Sequence, residues 1–62
     1  MLVQINDNEY INTNCIESIK LCFDDETSHY AMIRVNGLRN YCTETFKNRK
    51  ILISWLYEIG IF

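Results

Sequence analysis

The chain lacks the residues and segments from which most catalytic and membrane functions are recognised. Proline is absent, and its 62 residues include only two glycines and one histidine. Because Gly37 and Gly60 are far apart, no glycine-rich loop can cradle a phosphate. The longest apolar-rich stretch, residues 51–62, is too short to span a bilayer. No linker or low-complexity run divides the chain, so the sequence predicts one domain over residues 1–62 and no membrane association.

Cysteine and histidine are too sparse to indicate a catalytic or metal centre. Three cysteines, an odd number, do not read as a disulfide framework. The chain does not open with a secretory signal pattern, so we expect a reducing, cytoplasmic setting. No enzymatic motif and no cofactor are predicted. A small zinc-binding domain remains an alternative because four residues supply Cys₃His ligand types, although no CxxC or HxxxH pair is present: Cys15, Cys22, His29 and Cys42.

Charge is distributed unevenly along the chain, although the net charge is only −2. Residues 1–33 carry one lysine and six acidic residues, a net charge of −5. Residues 34–50 carry five basic residues and one glutamate, a net charge of +4. Such asymmetry can orient a charged partner. The acidic balance, with a pI near 5.1, disfavours a nucleic-acid-binding domain.

The dipeptide Asn36-Gly37 is the strongest local signal, because it favours a two-residue type I′ turn between two strands. That turn predicts Arg34 opposite Arg39 and Met32 opposite Tyr41. A bulge after the turn would instead exchange Arg39 and Tyr41 with Asn40 and Cys42 on that face. Asn40 is the weak point of the first register, since it would lie beside Ile33 on the apolar side.

Alternating apolar residues predict the remaining strands and the direction of their side chains. Residues 2–5 and 9–12 form a first hairpin, and residues 19–23 pair with 29–35. The apolar residues then share one face in both partners of the second hairpin. From about Thr45 the period becomes helical, with Thr43 or Thr45 as N-cap and Gly60 after the last turn. We expect an α+β domain, a small antiparallel β-meander of about five strands packed by one C-terminal helix.

The other face of this sheet is the candidate functional surface. Tyrosine and arginine are enriched at protein interfaces, and like charges facing each other across strands do not favour stability. The predicted partner-binding residues are Lys20, Tyr30, Met32, Arg34, Arg39 and Tyr41. We expect a non-enzymatic protein-binding module, an inhibitor or regulator of a host protein complex of the kind encoded by phages and mobile elements. A single-stranded nucleic-acid binder using the same face with Lys47, Arg49 and Lys50 is the alternative.

A further expectation concerns the C-terminal helix. The wide apolar stripe of the helix, with Trp55, Tyr57, Ile61 and Phe62, exceeds what a small sheet can cover, so a homodimer through the C-terminal helix is a second prediction.

The order of elements resembles that of the small FlbD-type flagellar regulators. This resemblance is carried by Tyr10-Ile11-Asn12, Ile16-Glu17-Ser18-Ile19, the Asn36-Gly37 hairpin and the closing helix. It implies no site residues.

Overall fold

Five antiparallel strands and one helix make up the protein, and the computed structural model describes residues 1–37 and 39–62. The strands form a two-stranded sheet, β1–β2, and a three-stranded sheet in the order β3-β4-β5. This confirms the predicted α+β class, with the meander divided between two sheets. The elements are β1 (Leu2–Asn6), β2 (Glu9–Asn12), a 3₁₀ turn (Thr13–Cys15), β3 (Ile16–Asp25), β4 (Ser28–Val35), β5 (Arg39–Cys42) and α1 (Arg49–Glu58).

The predicted register of β3 and β4 is confirmed. Ile19 pairs with Ile33, Leu21 with Ala31, and Phe23 with residue 29. Aliphatic side chains on both strands therefore point to the same side, as the matching alternation in the sequence requires. We call this side of the three-stranded sheet the inner face. The ladder is regular over residues 18–23 and is interrupted by a bulge on either side.

The predicted register of β5 is wrong. Asn36 and Gly37 have the expected positive φ values of 44° and 69°, but Val35 pairs with Arg39 and so leaves three residues between the paired positions. Met32 consequently pairs with Cys42 rather than with residue 41. Because a shift of one residue moves every side chain to the opposite face, the structure has the alternative foreseen for a bulged turn. Residue 38 lies outside the described residues.

The helix begins later than predicted and ends as predicted. Asn48, rather than a threonine, is the N-cap, and its side-chain oxygen accepts a hydrogen bond from the Ile51 N–H at 2.9 Å. At the other end Gly60 has a φ of +81°. Its N–H donates to the Tyr57 carbonyl at 3.1 Å, and the Ile61 N–H donates to the carbonyl of residue 56 at 3.0 Å. These two bonds form a Schellman motif. No described helix is long and apolar enough to cross a membrane.

The core lies between the inner face, the helix and the small sheet. Among residues 1–37 and 39–62, seven side chains form its buried part: Val3, Ile5, Ile11, Ala31, Ile33, Leu52 and Leu56. The two sheets meet beside β5, where the Glu44 N–H donates to the Ile5 carbonyl at 3.1 Å and the Asn6 amide donates to the Cys42 carbonyl at 2.8 Å. Since these elements occupy one side of the three-stranded sheet, none of the described elements covers its other side.

Candidate binding surface

The uncovered side of the three-stranded sheet is the candidate binding surface, and we call it the outer face. Its residues follow from the strand pairings: Ser18, Lys20, Cys22, Tyr30, Met32, Arg34, Asn40 and Cys42. None of them belongs to the buried core or to the partly buried side chains that pack against it. Tyr30 and Met32 are half-buried. The face is therefore formed by a central aromatic and thioether pair with polar groups around it.

Four of the six predicted binding residues lie together on this face. Tyr30, Met32 and Arg34 follow one another along the central strand, and Lys20 pairs with Met32 from β3. The arginine is tethered loosely, with its Nε 3.8 Å from the Glu17 carboxylate. An exposed pair of this kind contributes little to stability, so the guanidinium is free to exchange this carboxylate for one on a partner.

Tyr30 lies close to the carboxylate of Asp24 on the outer face. With Asp24, Cys42 and two threonines it lines a shallow depression of about 280 Å³. The negative charge of Asp24 is the main cause that raises the pKa of the Tyr30 phenol, followed by desolvation and by the Cys22 and Cys42 thiols. The phenol therefore remains protonated and can donate a hydrogen bond to a partner.

Arg39 and Tyr41, the other two predicted residues, do not lie on the outer face. Arg39 donates to the Glu9 carboxylate at 2.6 Å, and its guanidinium carbon lies 4.5 Å from the centre of the Tyr41 ring. Tyr41 packs against the core beside Ile33. The prediction that both residues share a surface with Arg34 is wrong, because the shifted register of β5 turns them toward β2 and the inner layer.

Asn40 and Cys42 take the places of these two residues on the outer face. Cys42 is exposed and pairs with Met32, while Cys22 lies on the other side of β4. Cys22 is on β3 and Cys42 is on β5, so the two residues are separated by about twice the 4.8 Å spacing of neighbouring strands. That distance exceeds the roughly 7 Å limit for a disulfide, so the outer face presents two separate thiols within one molecule.

The proposed zinc ligands are dispersed. Cys22 faces outward, whereas His29 lies on the inner side and its ring is 5.7 Å from that of Phe23. The Cys15 carbonyl accepts the Asn36 N–H at 3.1 Å, which places Cys15 at the opposite end of the sheet. Over residues 1–37 and 39–62, no three histidine, cysteine or acidic side chains converge on a common point.

The sequence contained one signal for the residues that were missed. Asn40 conflicted with the apolar side on which the two-residue turn placed it, and Thr43 is the buried polar residue of this segment, 6% exposed. The Thr43 Oγ1 accepts the Ala31 N–H at 3.0 Å, which suits a side chain that faces inward.

Comparison with known proteins adds no further information: no family model matches the chain, and neither the curated proteins nor the solved structures give a significant match.

Proposed function

We propose that this protein is a non-enzymatic protein-binding module, an inhibitor or regulator of a host protein complex of the phage or mobile-element type, and that it binds through the outer face. The observation that carries the proposal is the uncovered central strand with Tyr30, Met32 and Arg34. Tyrosine and arginine dominate binding energy at protein interfaces, and methionine is enriched there.

The chemistry of the outer face suits a protein surface of mixed polarity. Met32 is flexible and polarizable and can adapt to an apolar partner. The Tyr30 hydroxyl supplies a donor, and Arg34 can form a bidentate contact with a carboxylate. Because Tyr30, Met32 and Arg34 stand on a strand that is already ordered, binding costs little backbone entropy.

A protein partner is favoured over single-stranded nucleic acid by the placement of charge. Lys47, Arg49 and Lys50 lie at and just before the start of the helix, which packs on the inner face. They therefore do not extend the basic part of the outer face. On that face Arg34 is already beside Glu17, and Asp24 lies near the central tyrosine. A strand of phosphates would meet carboxylates at both places.

The experiment is site-specific photo-crosslinking in the native host, with the crosslinking amino acid replacing Tyr30. Tyr10 is the matched control, because it is a tyrosine on a strand of the other sheet and is 62% exposed. A protein captured from position 30 and absent from position 10 is then purified. Its affinity is measured for the wild-type protein and for variants of the outer face.

We expect Tyr30→Ala to weaken binding of the purified partner by about 30-fold or more, as at interface hot spots. Arg34→Glu should weaken it by at least about tenfold, whereas Arg39→Glu should have a smaller effect because Arg39 faces another side. A partner bound equally well by the variants at positions 30 and 34 refutes the proposed surface. Nucleic acid as the captured species, with an affinity that falls steeply as salt rises, favours the alternative function.

A further inference from the structure

The longest strand of the protein has one free edge. Strand β3 stands at the end of the order β3-β4-β5 and pairs only with β4. Within the described part of the chain, no backbone hydrogen bond links its residues to any segment other than β4. A long free edge presents a row of unpaired N–H and C=O groups to which another strand can add.

The hydrogen bonds of β4 identify which residues of β3 have free backbone groups. The Ala31 carbonyl accepts the Thr43 N–H and the Ala31 N–H donates to the Thr43 side chain, so the backbone groups of Ala31 point toward β5. Its partner Leu21 therefore sits in a pair without hydrogen bonds and directs its own groups to the free edge. By alternation the same holds for Ile19 and Phe23.

An exposed apolar side chain and a groove lie along this edge. Phe23 is 70% exposed, the most exposed large hydrophobic residue in the described part of the chain. Beside it is a groove of about 260 Å³ whose walls come from the edge of the sheet and from the start of the helix. Its lining residues are Leu21, Cys22, Phe23, His29, Arg49 and Leu52.

We propose that β3 of a second copy of this chain adds antiparallel to this edge, with Cys22 of each copy facing Cys22 of the other across a two-fold axis. In an antiparallel pair, the residues with outward backbone groups must lie opposite one another. The two-fold axis between the two copies can therefore pass through a residue of β3 but not between two residues. Three such alignments bring at least two of the outward residues 19, 21 and 23 into the new pairing. They centre on Lys20, Leu21 or Cys22.

Charge and apolar contacts select the Cys22-centred alignment. Centring on Lys20 places two ammonium groups opposite each other, which is unfavourable. Centring on Leu21 leaves Lys20 opposite a thiol. Centring on Cys22 places Lys20 opposite Asp24 of the second copy, and the symmetry repeats this ion pair. Asp24 lies beside the outer-face tyrosine, so both charges are on the same side of the sheet.

The same alignment covers the exposed phenylalanine. Leu21 faces Phe23 of the second copy on the inner side, and the symmetry again gives this contact twice. Each Phe23 then lies over the groove of the other molecule, where the half-buried Leu21 offers apolar surface above the fully buried Leu52. The dimer would contain one six-stranded sheet with two outer faces side by side. This inference is independent of whether those faces bind the proposed protein partner.

The first test uses the thiols as reporters. Opposite residues in a pair without hydrogen bonds have Cα atoms about 4.5 Å apart, within the range that a disulfide spans. Two variants are compared: one retains only Cys22 (Cys15→Ser with Cys42→Ser), and the other retains only Cys42 (Cys15→Ser with Cys22→Ser). Diamide serves as the oxidant and takes up the two electrons and two protons released when the two thiols join.

We expect the Cys22-only variant to form a covalent dimer at least about tenfold faster than the Cys42-only variant, because a paired thiol has a high effective concentration. Random collision predicts the reverse order, since Cys42 is the more exposed of the two thiols. Equal rates, or faster crosslinking through Cys42, overturn the proposal.

The second test exchanges the paired charges and follows the dimer by sedimentation velocity over a concentration series. Lys20→Asp and Asp24→Lys each place like charges opposite one another, and we expect each to weaken the dimer by about tenfold. The double variant restores both ion pairs and should recover dimerisation. A monomer at every concentration, or a dimer weakened only by Tyr57→Ala on the helix, contradicts an interface at β3.

Discussion

Thr43→Val is the substitution that examines the register of β5 most closely through stability. Valine keeps the shape of threonine but removes the hydroxyl that accepts the Ala31 N–H at 3.0 Å. Ala31 is fully buried, so its N–H loses its partner without access to water. An unsatisfied buried donor costs about 1–3 kcal/mol. The added methyl group returns roughly 0.8 kcal/mol, which leaves a net loss of about 0.2–2 kcal/mol.

Urea unfolding followed by circular dichroism measures this loss. With a slope of about 1 kcal/mol per M for a protein this small, the midpoint should fall by about 0.2–2 M at an unchanged slope. The matched control is Thr45→Val, because Thr45 is exposed and the same chemical change there should cost less than about 0.5 kcal/mol. Equal stability of the two variants would refute the reasoning, because the hydroxyl of residue 43 would then face solvent.

Three further substitutions test the helix ends and the outer face. Asn48→Ala should lower the free energy of unfolding by about 1 kcal/mol in the same assay, since the Ile51 N–H loses its cap; an unchanged midpoint would place the helix start elsewhere. Gly60→Ala should cost about 1–2 kcal/mol, because its φ of +81° is strained for any residue with a Cβ; a stabilised variant would contradict the Schellman motif. Asp24→Asn should lower the pKa of Tyr30, which the Asp24 charge raises above 10.0, as followed by an NMR titration of its ring. Because the raised pKa makes the folded state hold this proton more tightly, stability falls as the pH rises through 10, and the variant should show a smaller fall.

The register of β3 and β4 could be predicted because both strands carry apolar residues at alternate positions. Ile19 and Leu21 on one strand and Ala31 and Ile33 on the other leave one alignment in which all four are inside. A shift of the pairing by one residue would expose all the apolar side chains of one strand. Burial thus fixes this hairpin strongly, and sequence reasoning can recover it.

The register of β5 could not be settled in the same way. Over its four residues only Tyr41 and Cys42 are candidates for burial, and they point to opposite faces. The alternation therefore does not decide between the two alignments. They differ in whether two or three residues separate the paired positions at the turn, and the structure has three. The inward contacts that favour the observed alignment, the Arg39 pair with Glu9 and the hydroxyl of Thr43, link distant segments. Their partners are not evident from local sequence.

The helix shows the same division between local and distant information. Gly60 marks the end because few other residues adopt a positive φ. The start was misplaced because Thr43 and Thr45 are also good caps, and the choice of Asn48 depends on where the chain reaches the sheet. Phe46 determines that point: its N–H and C=O both bond to the backbone of His29.

The central claim is that Met32 and Arg34 share the outer face with Cys42 and Asn40. It is tested most directly by the nuclear Overhauser effects between α-protons across β4 and β5. Met32 pairs with Cys42 and Arg34 with Asn40 without hydrogen bonds, and in such pairs the Cα atoms lie only about 4.5 Å apart. Strong effects between the α-protons of these two pairs are therefore expected. Strong effects from Met32 to Tyr41 would contradict the register and remove the proposed surface.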